Sequence, residues 1–206
     1  MNGSVRFAVA GALIVSTLAL SGCFPLAATG VAVGTLAAMD RRTIGAQTED
    51  QEIELRARGQ LSQAIEQSSG ISVTSYNRKV LLSGQVASTQ DKARAEQIVA
   101  ALPNVRSVHN ELQVLGRPSF TTTAADTSIT ARVKTALIEA PDLHANTIKV
   151  VTESGTVYLM GLVSEREAAR AAQVASRVSG VQRVVTVFEL ISEEEARAST
   201  KAAQQQ

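Results

Sequence analysis

The residue with the clearest chemical signal is Cys23, which is the only cysteine in this chain of 206 residues. Secreted proteins usually hold an even number of cysteines for disulfides, so a single one needs another explanation. It follows Leu20-Ser21-Gly22, which is preceded by Arg6 and an apolar run from Phe7 to Leu20. Small residues before the scissile bond fit a lipoprotein signal peptidase. The pattern therefore predicts a signal peptide over residues 1–22, with a diacylglyceryl group on the Cys23 thiol and a third acyl chain on its amine.

Three acyl chains would anchor the protein essentially irreversibly, because each buried CH₂ contributes about 0.8 kcal/mol. An uncleaved signal anchor or a free buried cysteine would leave the small residues before the only thiol unexplained. Phe24 follows the cysteine where an Asp would retain such a lipoprotein in the inner membrane, so we expect an outer-membrane location facing the periplasm. Residues 23–48 are predicted to be a tether, since the uncharged stretch 24–39 is too short to span a bilayer. No cofactor is expected besides the covalent lipid.

Few other residues could do chemistry. His109 and His144 fall in different parts of the chain, and the sequence has neither a second cysteine nor a His-Glu-x-x-His motif, so we predict no metal site. A Gly-x-Ser-x-Gly elbow and a phosphate loop are also missing, and we predict no catalytic residue and no enzymatic activity. The run Glu193-Glu194-Glu195 could bind Ca²⁺, although a solvated helix end explains it more simply. With 20 basic and 19 acidic side chains, no overall charge recruits nucleic acid.

An internal duplication organises the rest of the chain. Residues 80–86 match residues 157–163 in pattern, and each stretch contains a glycine, Gly84 or Gly161. Upstream, both copies have apolar residues at i, i+4 and i+8 of a helix: Ile53, Ala57 and Leu61 in the first, and Ile129, Val133 and Leu137 in the second. The pattern predicts two modules at 49–115 and 126–191, a linker at 116–125, and a flexible tail at 192–206 that frays.

Each module is predicted to be helix-strand-strand-helix-strand. This gives an α+β fold in which a mixed three-stranded sheet packs on two helices. In the second module, Asp126 or Thr127 can cap a helix through Ala140, and Glu153-Ser154-Gly155 is typical of a tight hairpin turn. Ser164 and its counterpart Ser88 can cap the second helices, and Val181 to Ile191 form the last strand. Gly84 and Gly161 indicate close backbone packing or a bulge where a helix crosses the sheet, with a ligand site as the alternative.

These residues resemble the BON domain family, whose unit is this αββαβ module with a glycine in the second strand. The resemblance covers about 49 to 191 and is strongest over residues 157–168 and 175–181, and a lipobox followed by two modules resembles dual-module lipoproteins of that family. Residues 40–56 are also similar to the entry into the first module of such a dual-module lipoprotein. The resemblance implies a non-enzymatic protein whose second module binds anionic phospholipid while the first supports it. It further implies a role in envelope integrity around cell division.

The residues of the second module's first helix are compatible with that role. With Ile129, Val133 and Leu137 facing the core, Ser128, Lys134 and Ile138 project from other faces, and Arg132 is near. Taken alone this pattern is ordinary surface, but the resemblance implies lipid binding through this helix, and with it we predict a phospholipid-binding site of Ser128, Arg132, Lys134 and Ile138, an apolar wedge with cations for headgroups. The family pattern has an aromatic at the position of Ser128. We expect the permanent anchor to compensate for its absence through a high effective concentration.

An adaptor is the alternative function. A three-stranded sheet has two open edges, and either could pair with the sister module or with a partner strand. The chain would then bind outer-membrane assembly, division or peptidoglycan-processing proteins, and its contact with lipid would be incidental.

Overall fold

The computed structural model describes residues 40–66, 68–115 and 123–203. These described residues all belong to one compact unit. Cys23, the predicted signal peptide and most of the predicted tether lie outside the described residues, as do residues 116–122 of the predicted linker.

Two copies of one arrangement follow each other along the chain. The elements of the first module are α1 Ile44–Ala64, β1 Ile71–Tyr76, β2 Lys79–Val86, α2 Thr89–Ala100, β3 Ser107–Asn110 and β4 Gln113–Val114. Those of the second are α3 Thr123–Glu139, β5 Ile148–Glu153, β6 Thr156–Val163, α4 Glu165–Ser176 and β7 Arg183–Leu190, after which comes α5 Glu193–Ala203. A short 3₁₀ turn precedes the first strand of each module, at Ser68–Gly70 and Ala145–Thr147. The predicted αββαβ repeat is confirmed.

Each sheet is mixed, with the second strand of the module at its centre. Strand β2 pairs antiparallel with β1 and parallel with β3, and β4 continues the third strand beside β2 after a break at residues 111–112. In the second module β6 pairs antiparallel with β5 and parallel with β7. Both hairpins turn through two residues with positive φ, Asn77 and Arg78 or Ser154 and Gly155. This is the turn that matches the twist of the strands.

Each module has a core between its helices and one face of its sheet. The predicted inward positions are buried in both copies: Ile53, Ala57 and Leu61 in the first, and Ile129, Val133 and Leu137 in the second. The second helices begin at the predicted caps, because the Ser88 hydroxyl accepts from the Asp91 amide and the Ser164 hydroxyl from the Glu167 amide. Glu167 also accepts from the Ser164 amide, which completes a capping box.

A third core joins the two modules. Its buried members come from both sheets: Tyr76 and Leu81 from the first, and Tyr158, Met160 and Val187 from the second. Side chains alternate between the two faces of a strand, so these residues lie on the face away from the helices. The two modules therefore pack sheet against sheet with their helices outside. Because both faces of β6 are buried, its sequence is a continuous apolar run instead of an alternating one.

Polar contacts border this third core. The Asn77 side-chain amide donates to the Glu189 carboxylate at 2.8 Å, Arg183 pairs with Glu111 at 2.9 Å, and Lys149 pairs with Glu54 at 3.3 Å. Each contact joins one module to the other. The two modules therefore contact each other directly through polar as well as apolar side chains.

Three elements differ from the sequence-based expectations. Helix α1 begins at Ile44 inside the predicted tether, because Thr43 caps it by accepting from the Ala46 amide at 3.1 Å. Helix α3 begins at Thr123 inside the predicted linker, so Asp126 lies in its first turn and does not cap it. The tail that we expected to fray forms α5, since Ser192 accepts from the Glu195 amide and Ala196 is buried.

The two strand glycines mark close backbone packing. A Cβ atom on Gly84 would lie 2.1 Å from the Gly70 carbonyl oxygen, and one on Gly161 would lie 2.5 Å from that of Thr147. Each approaching carbonyl belongs to the 3₁₀ turn before the module's first strand and not to a crossing helix. The space beside both glycines is therefore filled by the chain's own backbone.

Candidate membrane-binding site

Helix α3 is fixed to its sheet by a buried carboxylate. Asp126 accepts hydrogen bonds from the backbone amides of Ser154 at 2.8 Å and Gly155 at 2.9 Å, which form the β5–β6 turn. One turn further on, the Thr130 and Thr152 hydroxyls are 2.7 Å apart. These contacts hold the helix against the hairpin and determine which of its residues face outward.

The first module repeats the same device. Asp50 of α1 accepts from the amides of Asn77 at 2.7 Å and Arg78 at 2.8 Å, and also from the Ser75 hydroxyl at 2.6 Å. Both aspartates lie three positions before the first core residue of their helix. Our sequence reasoning missed their role, although aligning the two copies would have displayed it.

The four residues predicted to bind phospholipid are all exposed on α3. Lys134 and Ile138 are four positions apart and therefore share one flank of the helix, and Ser128 and Arg132 share another. Ile138 is 69% exposed and is one of six large apolar residues that are exposed in the described part of the chain. Ile138 thus presents an exposed apolar side chain one helical turn from the cation of Lys134, which is the arrangement predicted from the sequence.

Arg132 is separated from that pair. It is two positions from Lys134, so the two cations project to different sides of the helix. An added Cβ on Gly180 would lie 3.2 Å from Arg132 Nη2, which places the guanidinium over the loop after α4. The four predicted residues therefore form two pairs on two flanks of α3 instead of one patch.

The electrostatics of this surface are simple. Neither Arg132 nor Lys134 forms an ion pair with any residue in the described part of the chain. Asp126 is buried and bound to the hairpin, so Glu139 is the one exposed carboxylate of the described helix. Both cations remain available to an anionic ligand, whereas Glu139 next to Ile138 would disfavour one.

The structure gives no basis for a metal or for a membrane span within residues 40–66, 68–115 and 123–203. No group of three or more His, Cys, Asp or Glu side chains lies close enough there to hold a metal ion. No helix in those same ranges is long and apolar enough to cross a bilayer. His109 lies on β3 and His144 lies before the 3₁₀ turn of the second module.

Comparison with known proteins agrees with this architecture. The BON domain family matches residues 49–116 and again residues 125–191. The chain belongs to the BON family. The family resemblance inferred from the sequence is confirmed, and the two modules are BON modules.

Curated relatives extend the likeness over most of the chain. Outer membrane lipoprotein DolP of Haemophilus influenzae is 33% identical over 181 residues, which cover 87% of this chain and 94% of that protein. The 21 kDa hemolysin of Actinobacillus pleuropneumoniae is 32% identical over 74% of this chain and 80% of its own length. Osmotically-inducible protein Y of Escherichia coli is 32% identical over 57% of this chain and 60% of its own length. The likeness to DolP thus spans both BON modules and reaches beyond them.

Proposed function

We propose that this protein is an outer-membrane lipoprotein that faces the periplasm and binds anionic phospholipid through helix α3 of its second BON module. Acyl chains on Cys23 hold it in the membrane. Phospholipid binding by α3 helps to maintain envelope integrity and is linked to cell division. The protein acts without catalysis.

The exposed pair of Lys134 and Ile138 is the observation that carries the lipid proposal. An isoleucine can insert among acyl chains at the boundary of the headgroups, and a lysine one turn away can reach a phosphate. The fixed helix presents both without rearrangement, because Asp126 and the inner apolar face hold it in place. Arg132 and Ser128 on the other flank offer a cation and a hydroxyl to a second headgroup.

Two observations support the location. The sequence around Cys23 has the features of a lipobox, and a relative that resembles 87% of this chain bears the name of an outer membrane lipoprotein. A Cys23→Ser variant should be released from the membrane fraction, whereas the acylated wild type should band with outer-membrane markers in a density gradient. Wild-type protein in the inner-membrane fraction would contradict the proposed location.

The lipid-binding helix can be tested with a matched pair of variants. Leu55 on α1 and Ile138 on α3 are both 69% exposed and lie on the first helices of their modules. In the unacylated chain from Asp40 onward, Ile138→Glu should reduce binding to phosphatidylglycerol vesicles at least tenfold. Leu55→Glu should leave that binding unchanged, since the first module is assigned no lipid contact. Equal effects of the two substitutions would contradict a site on α3.

An adaptor role is the second candidate, and it is favoured by the open edge of β7. This strand of eight residues pairs with β6 on one side and has no strand on the other among the described residues. A partner strand could bind there. In cells that lack the protein, Ile138→Glu should fail to restore resistance to detergent if lipid binding is the function. Full restoration by a variant that no longer binds vesicles would favour the adaptor.

A further inference from the structure

Arg41 is a buried cation that binds three separate parts of the second module. Its side chain is 1% exposed. One terminal nitrogen donates to Glu167 Oε2 at 2.8 Å and to the Leu162 carbonyl at 2.7 Å, and the other donates to Glu167 Oε1 at 2.9 Å and to the Thr200 hydroxyl at 3.1 Å. The guanidinium therefore joins the end of β6, the first turn of α4 and helix α5. We call this set of contacts the Arg41 clasp.

The clasp joins residues that are far apart along the chain. Residue 41 precedes the first module, yet its side chain reaches the second. The next residue behaves differently: Arg42 pairs with Asp50 at 2.7 Å and lies over the Tyr76 ring at 3.9 Å, and both partners belong to the first module. Two adjacent arginines thus bind the entering chain to one module each.

Stability alone is a weak reason for such a pair. A buried ion pair is often no more stabilising than apolar residues of similar volume, because both charges must be removed from water. Its bidentate geometry is directional and fixes one position and orientation. The Arg41 clasp is therefore suited to determine where the chain from Cys23 meets the folded unit.

That meeting point is at the same end of the second module as Ile138. The clasp includes Glu167 in the first turn of α4. Neighbouring positions on α4 contact Asp142, since Arg166 donates to its carbonyl at 3.2 Å and Arg170 pairs with its carboxylate at 3.0 Å. Asp142 is four residues beyond Ile138. The end of α3 that carries Ile138 and the entry of the chain therefore meet at the start of α4.

The intervening chain is short. Residues 24–39 separate Cys23 from Asp40, and even a fully extended chain of that length spans at most about 60 Å. An acyl anchor at Cys23 would thus hold the clasp within about that distance of the bilayer surface.

We propose that the Arg41–Glu167 clasp fixes Arg41, through which the chain from Cys23 enters the fold, at the end of the second module that carries Lys134 and Ile138, so that an acyl anchor on that chain holds α3 against the bilayer. This inference rests on the proposed lipid-binding function and assigns Arg41 as a positioning residue that touches no lipid. Without the clasp, the anchored chain would be held only from Arg42 onward and by the first module. The second module could then turn away from the membrane.

The test uses the full acylated chain in phosphatidylglycerol-containing vesicles. Cys23 is the only cysteine and is consumed by acylation, so a Thr135→Cys substitution on the exposed side of α3 provides one site for an environment-sensitive fluorophore. Quenching by lipids with a headgroup-level quencher reports contact of α3 with the bilayer. Arg41→Gln and Glu167→Gln should each reduce the quenching at least twofold, and Gln at 167 can still complete the capping box. Arg41→Lys keeps the positive charge but cannot form the bidentate pair with Glu167, so its quenching should lie between that of these two variants and that of the wild type.

The control is Arg56→Gln, which breaks an exposed pair with Glu52 at 3.0 Å and should leave the quenching unchanged. If the folded Arg41→Gln and Glu167→Gln proteins were quenched as strongly as the wild type, the positioning role of the clasp would be overturned and the lipid proposal would stand. No quenching in the wild type itself would instead overturn the lipid contact of α3, and with it this inference. A measurement without variants guards against misfolding: trypsin should cut the native wild type after Arg41 at least tenfold more slowly than the urea-unfolded chain. Rapid native cleavage there would also overturn the clasp.

Discussion

The contact between Asp126 and the β5–β6 turn predicts a large effect from a small substitution. Asp126→Asn keeps the shape of the side chain but offers one acceptor oxygen to two backbone amides, and its NH₂ group then faces the second amide. Hydrogen bonds to charged groups contribute about 1.5–3 kcal/mol, and the unsatisfied amide adds to the loss. We expect the free energy of unfolding to fall by about 2–3 kcal/mol. For a unit of this size the midpoint of thermal unfolding should fall by roughly 4–12 °C.

Urea unfolding of the chain from Asp40 onward, followed by circular dichroism, measures this change. Asp50→Asn tests the same contact in the first module. This substitution should lower the free energy of unfolding by more, about 3–5 kcal/mol, because Asp50 also binds Arg42 and the Ser75 hydroxyl. A second readout is the pKa of Glu153, which burial raises above its ordinary value and the charge of Asp126 raises further. In Asp126→Asn this pKa should move down. A loss of stability below about 0.5 kcal/mol with an unchanged Glu153 pKa would refute the assigned role.

Three further predictions follow from packing and ionisation. Gly161→Ala should destabilise the fold by at least about 1 kcal/mol in urea unfolding, because its Cβ would meet the Thr147 carbonyl. Gly59→Ala in helix α1 should stabilise the fold by about 0.5–1 kcal/mol, because the space beside Gly59 is open. Opposite signs for the two changes in stability would contradict the packing described at these glycines. Ser164→Ala should cost about 1 kcal/mol by removing the cap of α4, and an unchanged unfolding midpoint would argue against the cap. Burial opposes the ionisation of Glu167, but hydrogen bonds from Arg41 and the Ser164 amide outweigh it and lower its pKa below 4.5. The resulting stabilisation is present at neutral pH and is lost as the pH falls through the lowered folded-state pKa, so the stability deficit of Glu167→Gln should shrink as the pH is lowered from neutral into the acid range.

The sequence was sufficient to predict the repeat and the inner faces of its helices, because both depend on local periodicity. Ile53 and Ile129 begin equivalent buried stripes, and Ser88 and Ser164 begin equivalent helices. These features need only neighbours along the chain. The same reasoning placed Ile138 on an exposed face, where the structure also has it.

Long-range contacts were beyond that reasoning. Arg41 and Glu167 are 126 positions apart, and no local pattern connects them. The early start of α1 was missed because Thr43 caps it without an acidic residue in the first turn. The packing of the two sheets did have a signal, since the continuous apolar run of β6 indicates a strand buried on both faces. The position of Arg132 over Gly180 depends on how α3 and α4 pack, and no local sequence pattern predicts it.

The most direct test of the central claim is vesicle co-sedimentation of the unacylated wild-type chain from Asp40 onward. The comparison is between phosphatidylglycerol-containing and neutral vesicles at low and moderate salt. Lys134 and Arg132 are exposed and unpaired with any described residue, so binding should be selective for the anionic vesicles and should weaken as salt screens the headgroups. Absence of binding to either vesicle would contradict the account and would leave the acyl chains on Cys23 as the protein's only attachment to the membrane.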